Sequence, residues 1–357
     1  MRSKKAQSNS FMQSFLRFAV LFSIAFGSLA TGFLWLVTQP LLQTNETVAF
    51  SIPPGESLRV ISQRIEKSGI RLPAWQLELL GRLTGRTANI KAGSYEISGE
   101  ITAWQLLNRL TRGEVSQAQI TLIEGHSFSA FRAALNAHPD LQHDTATLTD
   151  AEIIAKLAQL PRQPTEEALA INPLTLISLE GLVFPDTYLF DKGSSDFHLL
   201  TRAYLAMQRQ TALIWAQRQA DLPLQSPYEL LILASIIEKE TGQANDRPLI
   251  ASVFINRLRL KMPLQTDPSV IYGLGTKFDG NLRRSDLQTD TPWNTYTRRG
   301  LPPTPISSPG FAALSAAAKP SVTDKFYFVA KGNGTSVFSH SLEEHNRAVA
   351  QYQKGNR

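Results

Sequence analysis

Cysteine is absent from all 357 residues. That one gap excludes a disulfide framework, a thiolate zinc site and a cysteine nucleophile. Histidine is scarce. The six, at 126, 138, 143, 198, 340 and 345, show no paired ligand spacing on one helix, so neither a metal nor another cofactor is expected. The first 17 residues lack any acid but hold Arg2, Lys4, Lys5 and Arg17. Removing those four from the 36 basic residues leaves 32 against 30 acidic, so the net charge of +6 comes largely from this end. The balance excludes a broad nucleic-acid surface, and no nucleic-acid partner is expected.

Charge is missing again from Phe18 to Val37, FAVLFSIAFGSLATGFLWLV, which is 20 residues. At about 1.5 Å per residue that length crosses a bilayer core of about 30 Å. The basic flank precedes the run and Glu46 follows it. The sequence therefore predicts a cytoplasmic tail over 1–17, a single transmembrane helix over 18–37 and an exported remainder. Ser28-Leu29-Ala30 is a weak cleavage site inside a run that continues past it, which favours an uncleaved anchor.

The exported part is expected to be α+β, in two domains over 45–122 and 123–352. In the first, Val48–Ile52 reads as a strand and Ser57 starts a helix that ends before Gly69. Pro73 opens a second helix, Gly93–Ile97 a returning strand, and Thr102 a further helix. The second domain is mainly helical. Asp150–Leu160, a long helix from Asp196, and Arg247–Leu260 are amphipathic, and Phe326–Phe338 is a hairpin turning at Gly332-Asn333-Gly334. Residues 282–310 form a long loop rich in proline, threonine and asparagine. A loop of that length in a compact domain is usually functional or disordered, and Trp293, Asn294 and Tyr296 argue against disorder.

The chain is organised around Ser226–Gly242, SPYELLILASIIEKETG. A capping serine, a first-turn proline and Glu229 three residues after the cap mark a helix start, and Gly242 marks its stop. Leu230–Ile237 offers no polar group but Ser235, so the helix is buried on every side. Two glutamates end it. Glu240 has Ile236 and Ile237 one turn back, whereas Glu238 has Ala234 and Ser235. Apolar neighbours and the negative end of the helix dipole both disfavour a carboxylate, so Glu240 is the better proton holder. The pattern alone leaves open that both are solvent-exposed ends bridged by Lys239 or Arg247.

Several segments together resemble a known family. ASIIEKET (Ala234–Thr241), ASVFINRLRLKMPLQTDPSVIYG (Ala251–Gly273), NTYTRRGLPP (Asn294–Pro303), FYFVAKGNG (Phe326–Gly334) and LEGLVFPDTY (Leu179–Tyr188) look like the MltG/YceG-like endolytic murein transglycosylases over roughly residues 45–352. The strand–helix–helix–strand order of 45–122 resembles a LysM peptidoglycan-binding module. The resemblance implies a lyase that cuts the MurNAc–GlcNAc bond of peptidoglycan without water and leaves 1,6-anhydroMurNAc ends. It places the catalytic carboxyl on Glu240, with Glu238 the alternative if the register slips. It also implies an inner-membrane, periplasm-facing location beside peptidoglycan synthases, where the enzyme would end nascent strands. Gln265, Asp267, Asn294, Tyr296, Tyr188 and Glu238 are the candidates for binding sugar. Asp267, read as a helix cap before Pro268, and Asn294 have capping and loop-bracing as their alternative roles. The rival readings of the whole chain are a noncatalytic glycan-binding protein, or a muramidase-type hydrolase that uses a second carboxylate such as Asp267 or Asp186.

Overall fold

The computed structural model describes residues 37–42, 46–160, 171 and 176–354, with scattered residues between 23 and 35. The tail over 1–17 and most of the expected span over 18–37 lie outside the described residues. Among those described, no helix is long and apolar enough to cross a membrane. The chain mixes helix and strand in two compact units.

Unit 1 comprises the residues up to Ala118 together with Asp191–Gly193. It runs β1 (Thr47–Ile52), α1 (Leu58–Lys67), α2 (Ala74–Leu83), β2 (Gly93–Ser98) and α3 (Ala103–Arg112). β1 and β2 pair antiparallel with Phe50 opposite Tyr95, whose rings stack at 5.7 Å. Period-two burial turns Phe50, Ile52, Tyr95 and Ile97 inward. The 3.6-residue period turns Ile61 and Ile65 of α1, and Leu106, Leu107 and Leu110 of α3, to meet them. Thr102 and Gln105 form a reciprocal capping box, and Gly113 ends α3 in the left-handed conformation at φ 71°. The boundary falls a few residues before the expected 122. The excursion 191–193 is absent from the sequence reading because its ties are non-local: Ser94 Oγ donates to the Lys192 carbonyl, and Lys192 Nζ meets Glu96 at 2.8 Å.

Unit 2 holds the rest of the chain. In order come β3 (Gln117–Thr121), α4 (Phe128–Ala137), β4 (Leu141–Gln142), α5 (Asp150–Ala158), β5 (Thr187–Asp191), β6 (Ser194–Ser195) and α6 (Asp196–Ala216). Then follow α7 (Pro227–Glu240), α8 (Arg247–Arg259), α9 (Asp267–Leu274), α10 (Arg284–Gln288), α11 (Phe311–Ala318), the antiparallel hairpin β7 (Tyr327–Ala330) and β8 (Ser336–Ser339), and α12 (Leu342–Val349).

Helix α7 is the centre. Ser226 Oγ accepts from the Glu229 N–H at 3.2 Å and Pro227 sits in the first turn, as the sequence indicates. Every residue from Leu230 to Ile237 is buried, and the helix packs against α6, α8, α9 and α11. Burying each Leu or Ile contributes about 1.5–3 kcal/mol. The one polar side chain in that stretch ties down the long loop. Ser235 Oγ accepts from the Ile306 N–H at 3.0 Å, and Ser307 Oγ donates to the Ser235 carbonyl at 3.2 Å. The loop thus follows α7 to the end that carries the glutamates.

Candidate active site

Glu240 closes the last turn of α7. Opposite it, the start of α9 presents Thr266, whose hydroxyl donates to Glu240 Oε1 at 2.5 Å. The sequence assigns the cap of α9 to Asp267, but the cap position is Thr266 and Asp267 is the first helical residue. The Thr266 hydroxyl makes no capping bond because it reaches across to the carboxyl of another helix. Its own backbone N–H donates to Thr295 Oγ1 at 3.0 Å, and Ser269 Oγ lies 2.9 Å from the same oxygen. A small, buried hydroxyl cluster therefore backs the site. Thr266, Ser269 and Thr295 are all buried.

This environment holds the Glu240 carboxyl protonated far above the usual range, with its pKa pushed up to about 7. Burial is the main cause and the Asp267 charge adds to it, while the Thr266 hydrogen bond opposes both. Thr266→Val removes the opposing interaction, so the Glu240 pKa rises further. The alkaline limb of any activity that needs the acid form should then move up by about one pH unit in a pH–rate profile.

Glu238, two residues earlier, is also held above its ordinary value by burial. Its Oε2 accepts from the Gly310 N–H at 3.0 Å at the start of α11. There the carboxylate meets the positive end of a helix dipole and anchors the loop. Glu240 thus accepts from a side-chain hydroxyl, and Glu238 from a backbone N–H.

Gln265 precedes Thr266 in the left-handed region at φ 53°, a conformation that costs a non-glycine residue about 1 kcal/mol or more. Its N–H donates to the Thr295 carbonyl, and its side-chain Oε1 accepts from Arg257 Nη1 at 3.2 Å. Arg257 is buried, and Nη1 also donates to the carbonyls of Pro263 and Leu264 while Nε donates to that of Phe326. A guanidinium has only donors. The Gln265 amide oxygen must therefore face Arg257, which leaves its NH2 to face away as a donor. Tyr296 donates its hydroxyl to Asp267 Oδ1 at 2.5 Å, and burial followed by this bond raises the phenol pKa. Both Gln265 and Asp267 are exposed beside the half-buried Glu240.

Two other candidates serve elsewhere. Asn294 is fully buried. Its Nδ2 donates to the carbonyls of Asp286, Leu287 and Thr289, and its Oδ1 accepts from the N–H groups of Tyr296 and Thr297. Every polar atom of that amide is used in bracing the loop that carries Tyr296. Tyr188 is buried in β5 with its hydroxyl on the Phe184 carbonyl at 2.8 Å and the Arg202 guanidinium 5.7 Å from its ring centre. These contacts give it the same kind of bracing role. Asp186, the other carboxylate of that segment, is exposed and accepts from the Thr187 N–H at 2.7 Å.

Sequence reasoning missed Thr266, Thr295 and Arg257. The available signals were a hydroxyl at a cap position and a cation on the helix that follows α7. A second buried carboxyl, Glu180, accepts from the Phe128 N–H at 3.0 Å, and burial pushes its pKa up to about 7. Beside it Gly181 adopts φ 74°, and a Cβ there would fall 2.4 Å from Pro305, so only glycine lets this turn meet the long loop.

Fold and site together define a class: a mixed α+β protein with one carboxylic acid kept protonated near neutrality at the end of a buried helix, fronted by an exposed amide and a second carboxylate. Such a site is equipped for acid–base work on an uncharged oxygen. The chain belongs to the YceG-like family, which its sequence matches over residues 50–351. It is 33% identical to the endolytic murein transglycosylase of Bacillus subtilis over 87% of this chain and 86% of that one. It is 28% identical to the endolytic murein transglycosylase of Streptococcus pneumoniae over 87% of this chain and 59% of that longer protein. Its structure resembles the crystal structure of a yceG-like protein from Listeria monocytogenes, with a TM-score of 0.55 and 32% identity over 85% of this chain and 98% of that one.

Proposed function

We propose that the chain is an endolytic lytic transglycosylase acting on murein glycan strands, with Glu240 as its acid and then its base. The observation that carries this reading is the Glu240 carboxyl with its pKa near 7 and its single hydroxyl partner, Thr266. In the proton-bearing form Glu240 gives its proton to the glycosidic oxygen as the bond from C1 of N-acetylmuramic acid breaks. The sugar's acetamido group supports the developing positive charge. Glu240, now a carboxylate, takes the proton of the C6 hydroxyl as O6 bonds to C1. The 1,6-anhydro end closes, no water is consumed, and the carboxyl is returned to its starting state. One carboxyl that titrates near the working pH suits both halves of this cycle.

The outward NH2 of Gln265 suits an acceptor on the substrate, and the acetamido carbonyl is the acceptor this reaction must position. Tyr296 and Asp267 shape the same side. Glu238, Asn294 and Tyr188 hold the framework. Unit 1 acts as a LysM-like glycan-binding module. Residues 18–37 anchor the chain in the inner membrane with both units outside the cytoplasm, beside the synthases whose strands it ends.

Asp267 supports a second reading, since its charge reaches Glu240 and a second carboxylate is what a hydrolase uses to activate water or form a covalent intermediate. Mass spectrometry of the products on purified sacculi decides between them. Transglycosylation yields anhydro ends, whereas hydrolysis yields reducing ends heavier by one water. A product set made only of reducing ends overturns the proposal, and absence of cleavage at any pH between 5 and 8 would leave a binding protein.

A further inference from the structure

The end of the uncharged run is built into the core of unit 1. Val37, Leu41 and Leu42 are buried in its core, and Phe33 packs against that core. The chain is then fixed at two places. The Leu41 N–H donates to the Ile101 carbonyl at 2.7 Å beside a bridge from Pro40 to Thr102, and the Arg71 N–H donates to the Leu41 carbonyl at 3.2 Å. The first tie lies at the start of α3 and the second just before α2. Four residues separate Val37 from Leu41, a reach of at most roughly 14 Å. The ends of α2 and α3 therefore stand close to the point where the run finishes.

From there along α2, unit 1 leaves large apolar side chains uncovered. Trp75, Leu79 and Leu83 are 56%, 38% and 66% exposed. Spaced by four residues, they share one face of α2, while Leu77, Leu80 and Gly81 are buried on the opposite face. Trp104, in the first turn of α3, is 41% exposed with the Arg86 guanidinium 5.0 Å from its ring centre. A stripe of this kind on a soluble surface marks a partner. Sugar would use the tryptophan rings, but Leu79 and Leu83 give a glycan nothing to hydrogen-bond. Of the nearby cations, Arg82 pairs with Glu78 and Arg71 with Glu46, while Arg86 lies on the Trp104 ring and donates to the neutral Asn108 amide; with two of the three charges paired, the apolar face is the main attraction. Tryptophan and leucine on one face of a short helix beside an apolar run match the boundary between headgroups and acyl chains.

We propose that the Trp75–Leu79–Leu83 face of α2, with Trp104, lies in the interfacial layer of the bilayer from which the chain emerges and holds unit 1 on the membrane surface. The inference rests on the reading of residues 18–37 as an anchor. The test exploits the absence of cysteine, since one introduced thiol can be labelled uniquely. Full-length protein carrying Leu79→Cys or Leu83→Cys, spin-labelled and reconstituted in phosphatidylcholine vesicles, is compared with a Ser51→Cys control on the exposed side of β1. Ratios of oxygen to nickel-complex accessibility should be several-fold higher at 79 and 83 than at 51, and unchanged by salt. Ratios equal to the control in protein that floats with the vesicles overturn this inference alone. Protein that fails to float overturns the anchor reading and this inference with it. Protection that appears only when glycan strands are added assigns the stripe to sugar and overturns it too.

Discussion

Glu240→Gln is expected to lower kcat/KM for murein cleavage by about 10³-fold or more, the share of rate that a positioned proton donor supplies. The same variant should be more stable than the native chain above neutral pH. The sign follows from the folded pKa of about 7, which lies above the ordinary value of 4.5. Between those limits the folded state binds more protons than the unfolded chain, so native stability falls as pH rises through the window and stays low above it. Glutamine does not titrate and carries no such penalty. At pH 8 the gain should be on the order of 2 kcal/mol, and it should vanish below about pH 4.5. Glu180 titrates in the same range but is common to both proteins, so it cancels in the comparison. Thermal melts of both proteins at pH 4 and pH 8 check this. A variant that loses activity and stability together would point to a structural role for Glu240.

Arg257→Met carries the second largest effect. The side chain is buried and satisfies the carbonyls of Pro263, Leu264 and Phe326 together with the Gln265 amide. Methionine fills the space but donates nothing, which leaves several buried acceptors without a partner at a cost of about 3 kcal/mol. For a unit of this size that corresponds to roughly 6–12 °C in Tm. Activity should fall beyond what stability explains, because Gln265 loses the group that fixes its amide orientation and Thr266 follows it in the chain. Arg257→Lys keeps the charge but not the planar fork, and should recover only part of either loss. Melting curves with kcat/KM measured well below the Tm separate the two effects, and unchanged kinetics in Arg257→Met would remove Arg257 from the site.

What could be read from the sequence follows from the range of the interactions. Helix α7 was legible because each of its signals is local: the Ser226 cap, Pro227, the apolar run, and the isoleucines one turn behind Glu240. The hairpin turning at Gly332-Asn333-Gly334, which pairs β7 with β8, was legible for the same reason. Thr266 was not. A threonine before Asp-Pro reads as one more capping residue, and only the packing of α9 against α7 turns its hydroxyl toward Glu240. Arg257 reads as an ordinary cation in the last turn of a helix, since its acceptor at Phe326 is far along the chain. Asn294 was placed in the right loop, but whether its amide faces sugar or backbone depends on the path of the loop. The three-residue excursion at 191–193 has no local mark at all.

Acid–base work at this site depends on where the proton of the Glu240 carboxyl sits. Carbon-13 NMR of protein labelled at glutamate Cδ, taken as the difference between the native chain and Glu240→Gln, follows that carboxyl directly through a pH titration. Half-protonation near pH 7 is the result expected, moving upward in Thr266→Val. A midpoint near 4.5 would contradict it, because an acid already ionised at neutral pH has no proton to give to a glycosidic oxygen.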